Sequence, residues 1–258
     1  MSLLQVQGLK KQFGGNLAVD GVSFTLAAGE MLALIGPNGA GKSTVFNMIG
    51  GQLSASAGSV LLNGTEILGA PSRKIARLGV ARTFQIAAVF SSLTVLENIQ
   101  ISLLAHRRKI YSFWRPVPSM APERALELLS QVGMREQAHR PCNELAYGDV
   151  KRVELAIALA CEPRLLLMDE PTAGMAAAER NALIALVQQL VRQHHLAVLF
   201  TEHSMDVVFT YADRIIVLAR GQVIAQGNAD QVRHDPRAQE AYFGTGRTFE
   251  RSNDEVRS

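Results

Sequence analysis

Apolar positions fall into short β-type runs at the start of the chain and longer helical stretches further on. Leu4 to Gly8, Val22 to Leu26 and Met31 to Ile35 read as strands, and the third runs straight into Gly36-Pro37-Asn38-Gly39-Ala40-Gly41. That order predicts a strand, a glycine loop and then a helix. A further strand at Ser59 to Leu62 closes on the turn Asn63-Gly64, after which strand signals become scarce from about Ser91 to Ala160. This stretch predicts a helical subdomain inserted into an α/β core. The core resumes at Arg164-Leu165-Leu166-Leu167-Met168-Asp169-Glu170, a continuous apolar run ending in two acids, as a strand buried on both faces does. Ala178 to His194 then predicts a helix and Ala197 to Thr201 a strand, with a hairpin of Ile215 to Leu218 and Val223 to Gln226 around Arg220-Gly221. From Thr245 onward the chain is polar, and no segment repeats another.

Composition narrows this picture. The chain has 258 residues, 48% of them hydrophobic, enough for one domain carrying a subdomain and a sizeable core. Lys and Arg number 26 against 23 Asp and Glu, a balance too even to indicate a nucleic-acid partner. The one basic run, His106-Arg107-Arg108-Lys109, reads as a solvated helix end or loop. No apolar run is long enough to span a bilayer, and Met1-Ser2-Leu3-Leu4-Gln5 has no signal-peptide pattern, so a cytoplasmic location is expected. The two cysteines, Cys142 and Cys161, match no metal-ligand spacing and read as reduced thiols.

Two segments carry chemistry. Gly36 to Ser43 matches GxxxxGKS between a predicted strand and helix. Glycines there let backbone N–H groups turn inward around phosphates, the helix N-terminus favours negative charge, Lys42 neutralises β- and γ-phosphate oxygens, and Ser43 ligates magnesium. The expected cradle comprises Gly36, Pro37, Asn38, Gly39, Ala40, Gly41, Lys42, Ser43 and Thr44. Asp169 and Glu170 end an apolar strand, which puts the first acid beside the magnesium of a bound nucleotide and the second opposite an attacking water.

With these motifs in this order, residues 3 to 244 resemble the ATP-binding cassette (ABC) family, and residues 245 to 258 form a polar tail. The resemblance implies a P-loop NTPase fold of α/β class, with a RecA-like core, an antiparallel β subdomain and an inserted helical subdomain at about residues 91 to 160. It implies ATP and Mg2+ as cofactors. Gln85, in Arg82-Thr83-Phe84-Gln85, matches the Q-loop, with a contact to magnesium and water. His203, in Thr201-Glu202-His203-Ser204, matches the switch histidine at the γ-phosphate, and Phe13 stands where an aromatic stacks on adenine. Leu145-Ala146-Tyr147-Gly148-Asp149 matches the signature usually written LSGGQ, which completes a partner's nucleotide site. Ala146 and Asp149 replace the usual Ser and Gln, and Ala176 stands where the D-loop carries Asp, so normal signalling between two sites is in question.

Within that family the chain is similar to the larger ATP-binding subunit of branched-chain amino acid importers. Phe13-Gly14-Gly15-Asn16-Leu17-Ala18-Val19, the pair Arg82-Thr83, Asn98-Ile99 after Thr94-Val95-Leu96-Glu97, Tyr147 and the ending Ala241-Tyr242-Phe243-Gly244 carry this likeness. So does the added segment Leu104 to Ala121, with Tyr111, Phe113 and Trp114. The expected partners are transmembrane permease subunits, a second cassette in a heterodimer and, indirectly, a periplasmic or extracellular substrate-binding protein, with the chain peripheral on the cytoplasmic face of the inner membrane. Related systems for urea, short amides or lipopolysaccharide export share such a cassette. Cassettes that act on ribosomes or in DNA repair are disfavoured, because those usually carry two cassettes or a long coiled coil.

Overall fold

The computed structural model describes residues 2–83, 89–106 and 122–243. Two sheets share the chain. β1 (Ser2–Phe13), β2 (Asn16–Ala27), β4 (Ala57–Leu62) and β5 (Thr65–Glu66) form an antiparallel sheet in the order β2-β1-β4-β5. The other sheet has six strands in the order β10-β9-β3-β8-β7-β6, from β3 (Met31–Ile35), β6 (Val80–Thr83), β7 (Leu165–Asp169), β8 (Ala197–Thr201), β9 (Arg214–Ala219) and β10 (Gln222–Gly227). β9, β3, β8, β7 and β6 run parallel, and β10 returns antiparallel through Arg220 (φ 48°) and Gly221 (φ 79°). Positive φ at both turn residues matches the twist of a two-residue hairpin.

Every residue of β3, β7 and β8 is buried, as their unbroken apolar runs require. Alternate side chains serve two cores. Met31, Ala33, Ile35, Met168 and Phe200 pack with the helical region, and Leu32, Leu34, Leu165, Leu167 and Leu199 pack towards the antiparallel sheet. The helices are α1 (Lys42–Ile49), α2 (Ser72–Arg77), α3 (Val95–His106), α4 (Pro122–Gln131), α5 (Tyr147–Leu159), α6 (Ala177–His194), α7 (Met205–Tyr211), α8 (Ala229–Arg233) and α9 (Pro236–Phe243). α3, α4 and α5 pack together, and between 89 and 160 the described residues contain helices and no strand. Among the described residues no helix is long and apolar enough to cross a membrane.

The structure departs from the predicted elements in two ways. β1 and β2 are far longer than the apolar runs that announced them, because repeated register shifts let glycines and polar residues continue the ladder. The edge strand β6 carries too few residues for a periodic signal to show.

Candidate functional site

Because β3, β7 and β8 are adjacent and parallel, their carboxyl ends open on one edge of the sheet. The loop after β3, the acid pair at the end of β7 and the Thr201-Glu202-His203 turn after β8 meet there. Open α/β sheets bind ligands at that edge.

The cradle begins at Gly36, where an added Cβ would collide with Leu218 O of β9. Gly41 has φ 102°, and a Cβ there would lie 2.6 Å from Ala18 O, so any other residue would force the loop away from β2. Lys42 is buried and donates from Nζ to Gly36 O at 2.6 Å and Pro37 O at 3.1 Å, which holds the loop in a ring around the ammonium. Burial pushes the Lys42 ammonium below its usual 10.5, opposed by the charges of Glu170 and Asp169. Ala40 is buried under the loop, Thr44 is partly buried, and Asn38, Gly39 and Ser43 face outward at the mouth. The first turn of α1 holds no acid, which suits an anion at the helix N-terminus.

The acid pair is held from behind. Thr201 Oγ1 donates to Asp169 Oδ1 at 2.8 Å, and Arg82 Nη2 donates to Asp169 Oδ2 at 3.1 Å. Glu170 stands one residue past the strand at φ 49°, a left-handed conformation rare for a residue with a side chain. Its N–H donates to Thr201 Oγ1 at 2.9 Å and Thr201 O at 3.2 Å, which fixes the bend and turns the carboxylate outward. There Glu170 Oε1 lies 2.8 Å from His203 Nε2, in a pair with half-exposed imidazole and mostly buried carboxylate. Buried Glu202 sets the histidine turn. It accepts from Thr172 N at 3.1 Å, Thr172 Oγ1 at 2.6 Å and His203 N at 3.2 Å.

Phe13 ends β1 half exposed, with Lys11 Nζ 5.0 Å from its ring centre. Its hairpin borders the cradle through the approach of Ala18 to Gly41. Ala146 is the N-cap of α5 and has no side-chain cap, and Asp149 falls in that helix's first turn. Tyr147 is half exposed and donates from its hydroxyl to Ala173 O at 3.2 Å, while Gly148 lies against Met175 and Glu179. Ala176 caps α6, again without a side-chain acceptor. Of the three departures from the family pattern, the two alanines, Ala146 and Ala176, are therefore helix N-caps without a side-chain oxygen acceptor. Gln85 and Phe84 lie outside the described residues, as do residues 107–121 of the added segment and the tail.

The structure thus gathers Lys42, Asp169, Glu170 and His203, and it leaves the signature residues Ala146 to Asp149 on the first turn of α5, leaning on the loop that follows Glu170. Sequence reasoning missed Thr201 and Glu202 as supports of the acids and the histidine. Their signal was present, since polar residues ending a buried strand need partners. It also left Tyr242 as a family marker only. Burial holds the Tyr242 phenol above its usual 10, opposed by the Gly36 backbone beside it. As for magnesium, Ser43 and Asp169 offer the hard oxygens it takes, and among the described residues no group of three His, Cys, Asp or Glu forms a cage of its own. That suits an ion held largely through substrate phosphates.

Comparison with known proteins agrees with this geometry. Residues 19–173 match the ABC transporter family, and residues 222–248 match the branched-chain amino acid ATP-binding cassette transporter family. The chain is 40% identical over 250 residues to the high-affinity branched-chain amino acid transport ATP-binding protein LivG of Escherichia coli (strain K12), covering 94% of this chain and 98% of that one. It is 39% identical over 251 residues to the corresponding protein BraF of Pseudomonas aeruginosa, with the same coverage. Among solved structures, a nucleotide-free ATP-binding cassette from an ABC transporter superposes with a TM-score of 0.83 at 32% identity, covering 95% of this chain and 100% of its own. The ADP conformation of a cassette from an ABC transporter gives 0.85 at 33%, covering 95% and 99%. A phosphate cradle, an acid pair and a histidine converge on one sheet edge in a chain that matches such cassettes along nearly its whole length, and the chain belongs to the ABC transporter family as a nucleotide-binding, ATP-hydrolysing cassette.

Proposed function

We propose that this ATPase powers an importer for branched-chain or closely related amino acids, acting through separate permease subunits. The observation that carries this reading is near-full-length identity of about 40% to two branched-chain amino acid transport proteins, reinforced by the second family match at residues 222–248. The chain would sit as a peripheral subunit on the cytoplasmic face of the membrane. An apolar groove of about 270 Å³ supports a permease contact. Ile75, Ala76, Val80, Ala81, Ile157 and Ala158 line it, and it opens between the core and α5 beside Thr83. A short helix of a permease loop suits such a groove in size and polarity.

In the proposed cycle the cradle of Gly36 to Thr44 binds the β- and γ-phosphates, and Lys42 exchanges its own loop carbonyls for phosphate oxygens. Phe13 stacks on the base. Ser43, Asp169 and Gln85 would hold magnesium, which would neutralise charge on the phosphates. Glu170 takes a proton from the attacking water, and His203 holds Glu170 in line and donates towards the γ-phosphate. The signature Ala146 to Asp149 closes the site of a second cassette, which the two uncapped helix starts suggest is a different chain with a regular signature.

Co-expression and co-purification with candidate permease subunits, and reconstitution with a binding protein, test this. ATP turnover stimulated by leucine, isoleucine or valine is expected, together with uptake that Lys42→Ala abolishes. Stimulation by urea, an amide or lipopolysaccharide, and not by these amino acids, would replace the proposed substrate.

A further inference from the structure

Arg82 reaches three separate parts of the chain. Nη1 donates to Asn47 Oδ1 at 2.8 Å and to Gln52 Oε1, and Nη2 donates to Asp169 Oδ2 at 3.1 Å. Nε is buried without a partner among the described residues, and the guanidinium carbon lies 6.0 Å from the centre of the Phe46 ring. Asn47 belongs to α1, the helix that springs from the phosphate cradle, and Gln52 follows it. Arg82 also forms part of the wall of the apolar groove. Only 15% of it is exposed, against 7% for Asp169, so this ion pair is poorly screened by water.

Since Thr201 holds Asp169 Oδ1 and Arg82 holds Oδ2, the carboxylate has no freedom to rotate. Its charge is already balanced. A divalent cation arriving at the carboxylate therefore meets a fixed positive charge a few ångströms away, in surroundings where charges interact strongly. A guanidinium suits this better than an ammonium, because its planar fork reaches α1 and β7 at once.

We propose that Arg82 is a positioning residue for Asp169, aligning the carboxylate for the metal while its charge sets how much divalent cation the site requires. The inference rests on the reading of Asp169 as the magnesium acid. It makes two effects of opposite sign. Removing the guanidinium strengthens cation binding, because a repulsive charge is gone, and lowers turnover, because the carboxylate is free to turn. Loss of packing alone would weaken both.

The test uses the full chain with ADP bound, so that no hydrolysis intervenes, and follows free Mn2+ by its electron paramagnetic resonance signal; half-saturating Mg2+ for ATP turnover is measured beside it. Arg82→Gln is expected to bind Mn2+ about 5- to 10-fold more tightly and to turn over about 10-fold more slowly. Arg82→Lys keeps the charge, so Mn2+ affinity stays within about twofold of the parent while turnover falls. Should Arg82→Gln fail to fold, Arg82→Met, which keeps the stem along the groove, takes the same test with the same expected direction. Unchanged or weakened Mn2+ binding in the folded variant, with Asp169→Asn losing Mn2+, overturns the role of Arg82. Undiminished Mn2+ binding in Asp169→Asn instead overturns the metal reading beneath it.

Discussion

Glu170→Gln separates binding from chemistry at this site, and the structure says what else it leaves alone. Glu170 owes its place to its backbone: the left-handed bend at φ 49° is held by two hydrogen bonds from its N–H to Thr201. A glutamine keeps that backbone and the side-chain length. What it loses is charge, so the 2.8 Å contact with His203 is left as at most a neutral hydrogen bond. The imidazole is half exposed, so the pair is worth no more than about 1 kcal/mol to the fold. A positioned general base is worth about 100- to 10,000-fold in rate, or roughly 2.7 to 5.4 kcal/mol of barrier. Catalysis thus suffers several times more than stability. The expected variant melts within a few degrees of the parent, binds ATP at least as tightly because a negative charge beside the phosphates is gone, and hydrolyses it at least 100-fold more slowly. ATP turnover in the assembled transporter, equilibrium nucleotide titration and thermal melting on one preparation measure all three. Turnover within about threefold of the parent would refute the assignment, because another group would then activate the water.

Lys42 sits below its usual 10.5 for want of solvation, so phosphate binding should raise it again and draw in a proton. ATP affinity should accordingly fall as pH rises through the window below 10.5. Calorimetry at stepped pH values below 10.5, in buffers of different ionisation heat, should show proton uptake, which Lys42→Ala removes along with most affinity; proton release would contradict this. Tyr242→Phe removes the phenol oxygen beside the Gly36 backbone, and is expected to weaken ATP binding about 3- to 10-fold, since one hydrogen bond contributes about 1 kcal/mol. Equal affinities would deny the C-terminal helix any hold on the cradle. Ala176→Asp and Ala146→Ser each supply a missing cap acceptor and should each raise stability by about 1 kcal/mol in denaturant unfolding. A loss of stability would show that these positions do not cap their helices as described.

Contiguous runs announced much of this protein. The cradle from Gly36 to Ser43 is written in consecutive residues because a phosphate is wrapped by consecutive backbone N–H groups, and the acid pair by a buried strand that must end in something polar. For β3, β7 and β8, burial on both faces demands unbroken apolar sequence, which is why they were legible and the four-residue edge strand β6 was not. The sequence also showed that Ala146 and Ala176 depart from the family pattern, though not that both are helix caps, since a cap is defined by backbone angles. What only the tertiary structure decided is which distant residues support the chemistry. Thr201, Glu202, Arg82 and Tyr242 reach Asp169, His203 and Gly36 because the order of strands brings β8, β6 and the C-terminal helix to the same edge. A hydrogen bond between residues 87 or 32 positions apart leaves no periodicity in a chain. Such partners follow from how parallel strands align, and that alignment is settled by packing across the whole sheet.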